Sequence, residues 1–203
     1  MFSLSMDFRH ARRVRSLSCG LLVAFSLVSC RRAAPSAAGP EVKPTYDPKT
    51  GRLTRLAADS NGNGVPDTWG YMDGSRVVRV ETDEDEDGRI DRWEYHRTTP
   101  SAADQGRPDR TLERIERSTR RDGRVSRWEY FVDGVLSRAE EDTTGNGKVD
   151  KWETYTAGAL SMIALDTRGT GKPDRRLVYR PDGTFDREEA DSTVSAHFET
   201  LKP

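Results

Sequence analysis

The sequence predicts an all-β fold of repeated antiparallel β-hairpins with a 24-residue period, forming a twisted meander, with closure into a propeller or barrel as the alternative. Three observations carry that reading. First, a nine-residue loop with glycine in its sixth place recurs: DSNGNGVPD from Asp59, DEDEDGRID from Asp83, a worn STRRDGRVS from Ser118, DTTGNGKVD from Asp142 and DTRGTGKPD from Asp166. Second, the sixth-place glycines Gly64, Gly88, Gly123, Gly147 and Gly171 are spaced 24, 35, 24 and 24 residues apart, so one unit carries an insertion of 11. Self-similarity at a fixed period marks stacked structural units. Third, Trp69, Trp93, Trp128 and Trp152 each follow their glycine by five residues, and RWEY at 92 and 127 alternates strand-prone aromatics with polar residues.

The flanks of each loop keep the same register. Leu53, Val77, Leu112, Leu136 and Leu160 stand eleven residues before the glycines, and Leu56, Val80, Ile115, Ala139 and Ile163 stand eight before. Between these rows come Arg55, Arg79, Arg114 and Arg138, with Met162 breaking the series and Arg176 replacing the fifth tryptophan. Rows three apart do not fit strict alternation, which leaves two options: a local bulge, or contacts on both faces. Tyrosines follow at Tyr71, Tyr95 and Tyr130, then one place late at Tyr155 and Tyr179, which predicts a bulge in the last two units.

Asp73-Gly74, Asp133-Gly134, Ala157-Gly158 and Asp182-Gly183 supply tight turns. A unit therefore reads strand, turn, strand, acidic loop, giving roughly ten to twelve short strands. The insertion falls at 96–110, where a turn would stand, and 182–191 closes the frame with a half-unit. The in-register tryptophans are expected to share a buried core, with a sugar-binding stripe as the alternative reading.

The N-terminus is an address. Arg9, Arg12, Arg13 and Arg15 precede the apolar GLLVAFSLVS (20–29), a run too short to span a bilayer. Leu27-Val28-Ser29-Cys30 then resembles a bacterial lipobox. That resemblance implies cleavage before Cys30, lipid attachment to its sulfur and acylation of its amine, which together anchor firmly. Arg31 stands where inner-membrane retention uses aspartate, so an outer-membrane anchor is expected. The domains expected are a signal peptide at 1–29, a lipidated Pro/Ala-rich tether at 30–45, the repeat domain at 46–191 and a tail at 192–203.

Cleavage would leave 29 Lys and Arg against 33 Asp and Glu, a net charge of −4, which argues against nucleic acid as a partner. It would also leave no cysteine for a disulfide or a zinc site, because Cys19 leaves with the signal. Only 33% of residues are hydrophobic, so a shallow core is expected. YDPKTGRLTR (46–55) resembles the YD repeat of bacterial Rhs-type surface proteins through Tyr46, Asp47 and Gly51-Arg52-Leu53-Thr54. The resemblance implies a chain of β-hairpins and little about activity.

The loops concentrate hard oxygen donors around a glycine, as calcium sites do. DEDEDGRIDRWE (83–94) resembles an EF-hand loop. The resemblance implies ligation by Asp83, Asp85, Asp87, the Arg89 carbonyl, Asp91 and a bidentate Glu94, with Gly88 making the turn. The flanks read as strands, however, and a strand would point Glu94 away from Trp93 and Tyr95. The shorter core also resembles thrombospondin type 3 loops, in which the ninth-place aspartate closes the site. On that resemblance Asp59, Asn61, Asn63, the Val65 carbonyl and Asp67 form a second calcium site. Asp142, Thr144, Asn146, the Lys148 carbonyl, Asp150 and Glu153 form a weaker one. The loops at 118 and 166 have lost most of their ligands, and Arg168 would repel an ion. Without a metal, Arg79, Arg89 and Arg92 are the cations nearest in sequence to the acidic run.

His96 and His197 are the only histidines after the signal, and no cysteine nucleophile or phosphate-cradling loop is present, so the chain is not expected to be an enzyme. The function expected is a non-catalytic, calcium-stabilised envelope lipoprotein that presents a β-repeat surface to another envelope component, a protein complex or a polysaccharide. A glycan-binding surface module and a periplasmic inhibitor or immunity-type lipoprotein are the alternatives. The anchor has a direct test. Cys30→Ser should abolish palmitate labelling and leave the precursor uncleaved, and labelling that survives the substitution would remove the lipid anchor.

Overall fold

The computed structural model describes residues 41–99 and 108–190. Cys30, the signal segment, the first part of the tether and the tail lie outside the described residues. Twelve strands follow one another: β1 (Val42–Tyr46), β2 (Leu53–Ala58), β3 (Thr68–Asp73), β4 (Arg76–Thr82), β5 (Arg92–His96), β6 (Leu112–Arg117), β7 (Arg127–Val132), β8 (Val135–Glu141), β9 (Lys151–Thr156), β10 (Ala159–Leu165), β11 (Arg175–Tyr179) and β12 (Phe185–Ala190). They form a single antiparallel sheet in strict sequence order. β1 and β12 are its two edges, so the meander is open and neither a propeller nor a barrel closes. A 3-10 turn at Pro108–Thr111 leads from the insertion into β6. β1, from Val42 to Tyr46, lies almost wholly within the segment read as tether.

The bulge resolves the rows three apart. Tyr71 pairs with Arg79 but Met72 with Val77, leaving Val78 as the extra residue. The same skip leaves out Thr54, Glu113, Ser137, Ser161 and Asp186. Each bulge restores the alternation, so Val77 and Val80, or Leu136 and Ala139, lie on one face. Three bulge residues carry hydroxyls that donate to a carbonyl across the bulge: Thr54 to Thr45 at 3.1 Å, Ser137 to Tyr130 at 3.0 Å and Ser161 to Thr154 at 3.0 Å. The bulge expected in the last two units is present there and recurs in the others. Tyr155 follows its tryptophan one place late because its ring has moved to the other face, where its hydroxyl donates to Glu153 at 2.8 Å.

Direct cross-strand partners share a face, so the register sorts the side chains. One face carries two rungs across the strands. Trp69, Glu81, Trp93, Glu116, Trp128, Glu140 and Trp152 form the first, and Arg55, Tyr71, Arg79, Tyr95, Arg114, Tyr130 and Arg138 the second. Guanidinium carbons of Arg79, Arg114 and Arg138 stand 4.3, 4.4 and 4.0 Å from the ring centroids of Tyr71, Tyr95 and Tyr130. The opposite face is ionic in the middle of the sheet, with Arg92, Arg117, Arg127 and Lys151 set among Glu94, Glu129, Glu141 and Glu153.

Among the described residues no second layer covers either face: each strand's substantial packing is against its sequence neighbours. Among the described residues the buried apolar side chains are Ile115, Ala139 and Ala164 on the strands and Pro173 in the last loop. The tryptophans are half-buried. This corrects the expectation of a shared aromatic core, because a one-layer sheet leaves a ring open on the side away from the backbone.

Arg127 holds the ionic face together. Its guanidinium donates to Glu129 at 2.9 Å, Glu141 at 3.0 Å and Glu153 at 2.6 Å. Burial opposes the charge on Glu153, but Arg127, Lys151 and Tyr155 outweigh it and bring the carboxyl down to about 2. A folded-state value below the ordinary 4.5 means that this contribution is present above pH 4.5 and is lost as pH falls toward 2. Glu153→Gln should therefore remove an acid-sensitive component on the order of 2 to 3 kcal/mol. Denaturant melts between pH 5 and 3 check it, and equal pH slopes for the two proteins would refute the assignment.

Candidate metal centre

Every nine-residue loop follows an even-numbered strand, from β2 to β10, so all five leave the same end of the sheet. Their first and ninth residues continue the backbone ladder across that end. Asp83 N–H donates to Asp67 O at 2.9 Å, Ser118 to Asp91 at 2.7 Å, Asp142 to Ser126 at 2.8 Å and Asp166 to Asp150 at 2.9 Å. Side chains at these places are buried, except for Asp150, which is half-buried.

A common local chemistry shapes each loop. The sixth-place glycine has positive φ, 88° at Gly88, which a residue with a Cβ adopts only under strain. That turn aims its N–H back at the first residue. The first-place carboxylate accepts it: Gly64 donates to Asp59 at 2.6 Å, Gly88 to Asp83 at 2.9 Å, Gly147 to Asp142 at 2.7 Å and Gly171 to Asp166 at 2.5 Å. The ninth residue accepts the N–H of the second, as in Ser60 to Asp67 at 3.0 Å and Glu84 to Asp91 at 3.1 Å. The fifth accepts from the seventh, whose carbonyl was expected to ligate: Val65 to Asn63 at 2.7 Å, Arg89 to Asp87 at 2.8 Å and Lys148 to Asn146 at 2.8 Å. In the worn loop the Ser118 hydroxyl takes the first-place role, accepting from Asp122 and Gly123 at 3.1 Å.

The loops differ in what remains unmatched. Asp59 accepts three backbone N–H groups, from Gly62, Asn63 and Gly64, and Asp142 likewise accepts from Gly145, Asn146 and Gly147. In the loop at 83 only Gly88 donates to Asp83, and the buried Oδ1 atoms of both Asp83 and Asp91 have no partner. Asp83 and Asp91 are 5% and 3% exposed. Carboxylate oxygens of Asp83, Asp85 and Asp91 lie within 4.8 Å of one another. That is the span of opposite ligands around calcium at about 2.4 Å each. The donor set is hard oxygen throughout, with orphaned buried charge, so these residues fit a divalent cation of the calcium type.

Electrostatics single out the same loop. Burial works against charge on Asp67, Asp142, Asp166 and Asp174, but the hydrogen bonds they accept outweigh it and hold all four carboxyls below the ordinary value. Asp91 goes the other way. Burial, reinforced by the Asp85 and Asp83 charges, raises it.

Three expected ligands stand elsewhere. Glu94 points to the ionic face and pairs with Arg92 at 2.9 Å, as strand alternation requires. Glu153 sits on that face with Arg127 and Lys151. Asp87 caps Arg89 outside the three-carboxylate group. Asn61 and Asn63 contact Glu86 of the next loop through their side-chain amides. Asp150 accepts from Thr143 and Thr144, and the Thr144 hydroxyl donates to Asp142 at 3.3 Å. His96 closes β5 against Thr111 at 3.0 Å, with burial lowering its pKa, and His197 lies outside the described residues.

The cations around the site come from the end of β6 and the worn loop that follows it. Arg121 reaches Asp85 at 3.5 Å, and Arg117 reaches Glu84 at 3.7 Å. On the other side Arg120 donates to the Asp142 carbonyl at 2.9 Å and stands 3.8 Å from its carboxylate. Arg79 and Arg92, the cations nearest in sequence, are taken by Glu81 and Glu94 on the strands. The basic run RR at 120–121 was visible in the sequence, but its targets follow only from which loops stand side by side.

No family model matches the chain, and none of the curated proteins matches it. Among solved structures it is similar to a chain in the crystal structure of accessory secretory protein 1, 2 and 3 in Streptococcus pneumoniae, at 13% identity and a TM-score of 0.24. That likeness covers 62% of this chain and 19% of the other, and says nothing about function.

Calorimetry should find the 83–91 loop binding calcium most tightly. A cation that binds only the folded state stabilises it by about 2.7 kcal/mol at a hundredfold excess over Kd. Asp91→Asn should remove most of that gain, yet raise the melting temperature in chelator by relieving carboxylate crowding. Glu94→Gln should leave the calcium gain intact. Arg121→Gln should tighten binding by deleting a competing cation. No heat at millimolar calcium would eliminate the site.

Proposed function

We propose that the protein is a calcium-stabilised, lipid-anchored envelope protein without catalytic activity, whose open β-sheet serves as an interaction surface for another envelope component. The single observation that carries this reading is the pair of orphaned, buried carboxylate oxygens on Asp83 and Asp91 beside Asp85. A buried carboxylate without a partner opposes folding, and a bound divalent cation turns that penalty into a contribution. Calcium supplies charge neutralisation and a fixed loop geometry at Asp83, Asp85 and Asp91. Extracellular calcium modules work at roughly 10⁻⁴ to 10⁻³ M, a range suited to the envelope.

The lipobox at Leu27–Cys30 supplies the anchor in this reading, and the segment from Arg31 to the first strand supplies the tether. The sheet supports a binding role because its faces are not consumed by a second layer and its loop end gains order from an ion abundant outside the cytoplasm. Hydrogen exchange on the full chain tests the proposal. Calcium should slow exchange in the 83–91 loop and in its neighbours at 59–67 and 118–126, and should leave the tight-turn end unchanged. Exchange indifferent to calcium, with unaltered melting, would overturn it.

A further inference from the structure

The aromatic face has a geometry that the loop chemistry does not explain. Its first rung alternates tryptophan with glutamate through Trp69, Glu81, Trp93, Glu116, Trp128, Glu140 and Trp152, each directly opposite the next. Adjacent strands lie about 4.8 Å apart, so successive indoles recur at roughly 9.6 Å along the rung. All four rings are half-buried, and among the described residues Trp93 and Trp128 have no guanidinium over them. The tyrosines beside them are covered by arginines.

Charge on this face is paired along the central strands, with Arg55 near one edge standing over Trp69 and Tyr71. Arg79 pairs with Glu81 at 2.9 Å, Arg114 with Glu116 at 3.2 Å and Arg138 with Glu140 at 3.1 Å. The Tyr71 and Tyr95 hydroxyls donate to Glu81 and Glu116 at 2.6 and 3.1 Å. Around Trp93 and Trp128, where each arginine is matched by a glutamate, there is little to attract a polyanion or a basic peptide. That stretch suits an uncharged polymer that brings apolar faces at regular intervals and hydroxyls between them.

A β-1,4-linked glycan has that pattern. Its pyranose rings present a flat C–H face, alternate residues repeat along a straight line, and that disaccharide repeat is close to the distance across two strands. We infer that the tryptophan rung is a docking surface for an uncharged β-1,4-linked glycan strand lying across the sheet. The inference rests on the interaction-surface reading above and names its partner. Every second sugar stacks on an indole, and the sugar between them offers hydroxyls to Glu81, Glu116 or Glu140. An α-1,4 chain curls out of line and loses the repeat.

The test titrates the full chain with chitohexaose, with maltohexaose as control, and follows both heat and tryptophan fluorescence. Chitohexaose should bind with a blue shift and protect the indoles from an aqueous quencher, while maltohexaose should do neither. Trp93→Ala and Trp128→Ala should each weaken binding roughly tenfold, equivalent to about 1.4 kcal/mol. Their calcium-dependent melting should be retained, which reports an intact fold. Should either alanine variant fail to fold, Trp93→Phe and quencher protection in the unmodified chain provide the same readout. Absence of chitohexaose binding, equal binding by the folded variants, or equal binding of maltohexaose would overturn the inference. So would a dimer in light scattering that Trp128→Ala dissolves, since the face would then belong to a second copy. Chitohexaose binding with no calcium effect on melting would remove the calcium reading and leave the glycan surface standing.

Discussion

Carboxylates accepting backbone N–H groups at the loop end are the interaction on which the rest of this structure depends. A one-layer sheet has no interior to hold its strands in place, and among the described residues its strands bury only Ile115, Ala139 and Ala164 as apolar side chains. Order has to come from the ladder and from whatever fixes its ends. The first residue of each loop receives the N–H of the sixth, and the ninth receives that of the second. Hydrogen bonds to a charged group contribute roughly 1.5 to 3 kcal/mol each, more than neutral ones. The same economy explains why the proposed cation site is at 83–91. Where three donors meet the first carboxylate, as at Asp59 and Asp142, the charge is matched within the protein. Where one donor remains and a second buried carboxylate stands alongside, the imbalance calls for an external cation.

Arginine is the internal answer to the same problem. The loop at 118–126 has exchanged its first and ninth carboxylates for Ser118 and Ser126, whose hydroxyls cap the backbone without charge. Its Arg120 and Arg121 then extend to opposite sides, one toward Asp142 and the other toward Asp85. A loop that reads as decayed in isolation is the counter-ion of its two neighbours. Exposed pairs at such distances contribute little individually. Their effect is on choice: Arg121 competes with a metal for Asp85, and Arg120 makes one less necessary at Asp142.

The period and the hairpin order of a meander were legible in the sequence because they follow from alternation and from turn residues, which are local, whereas its openness was not, because closure depends on how the two edge strands are placed. The lateness of Tyr155 was legible as well, but its cause was not. A shift of one residue in a strand exchanges faces, and a sequence does not say whether a bulge has absorbed the shift. Val78, Ser137 and Ser161 show that every unit has a bulge, on the returning strand, where no glycine or proline announces it. Glu94 had two readings, a bidentate ligand on the EF-hand resemblance and a strand residue pointing away from Trp93, and its pairing with Arg92 follows the second. The pairing of Arg121 with Asp85 joins residues 36 apart and emerges only from the order of strands.

Both ends of each hairpin therefore guard one property, the face on which a side chain stands. A slip of one residue would carry Trp93 to the ionic side and set Glu94 among the aromatics. The bulges fix register near the tight turns, and the carboxylate caps fix it at the loops, with β4, β5 and the 83–91 loop at the centre of the best aromatic stretch. A cation bound by Asp83 and Asp91 joins the end of β4 to the start of β5, which carry Glu81 and Trp93 in the same rung. On the reading proposed above, a cation at the loop end would be separated from the ring spacing on the face by only two or three residues of strand, a short path by which calcium would influence what this surface recognises.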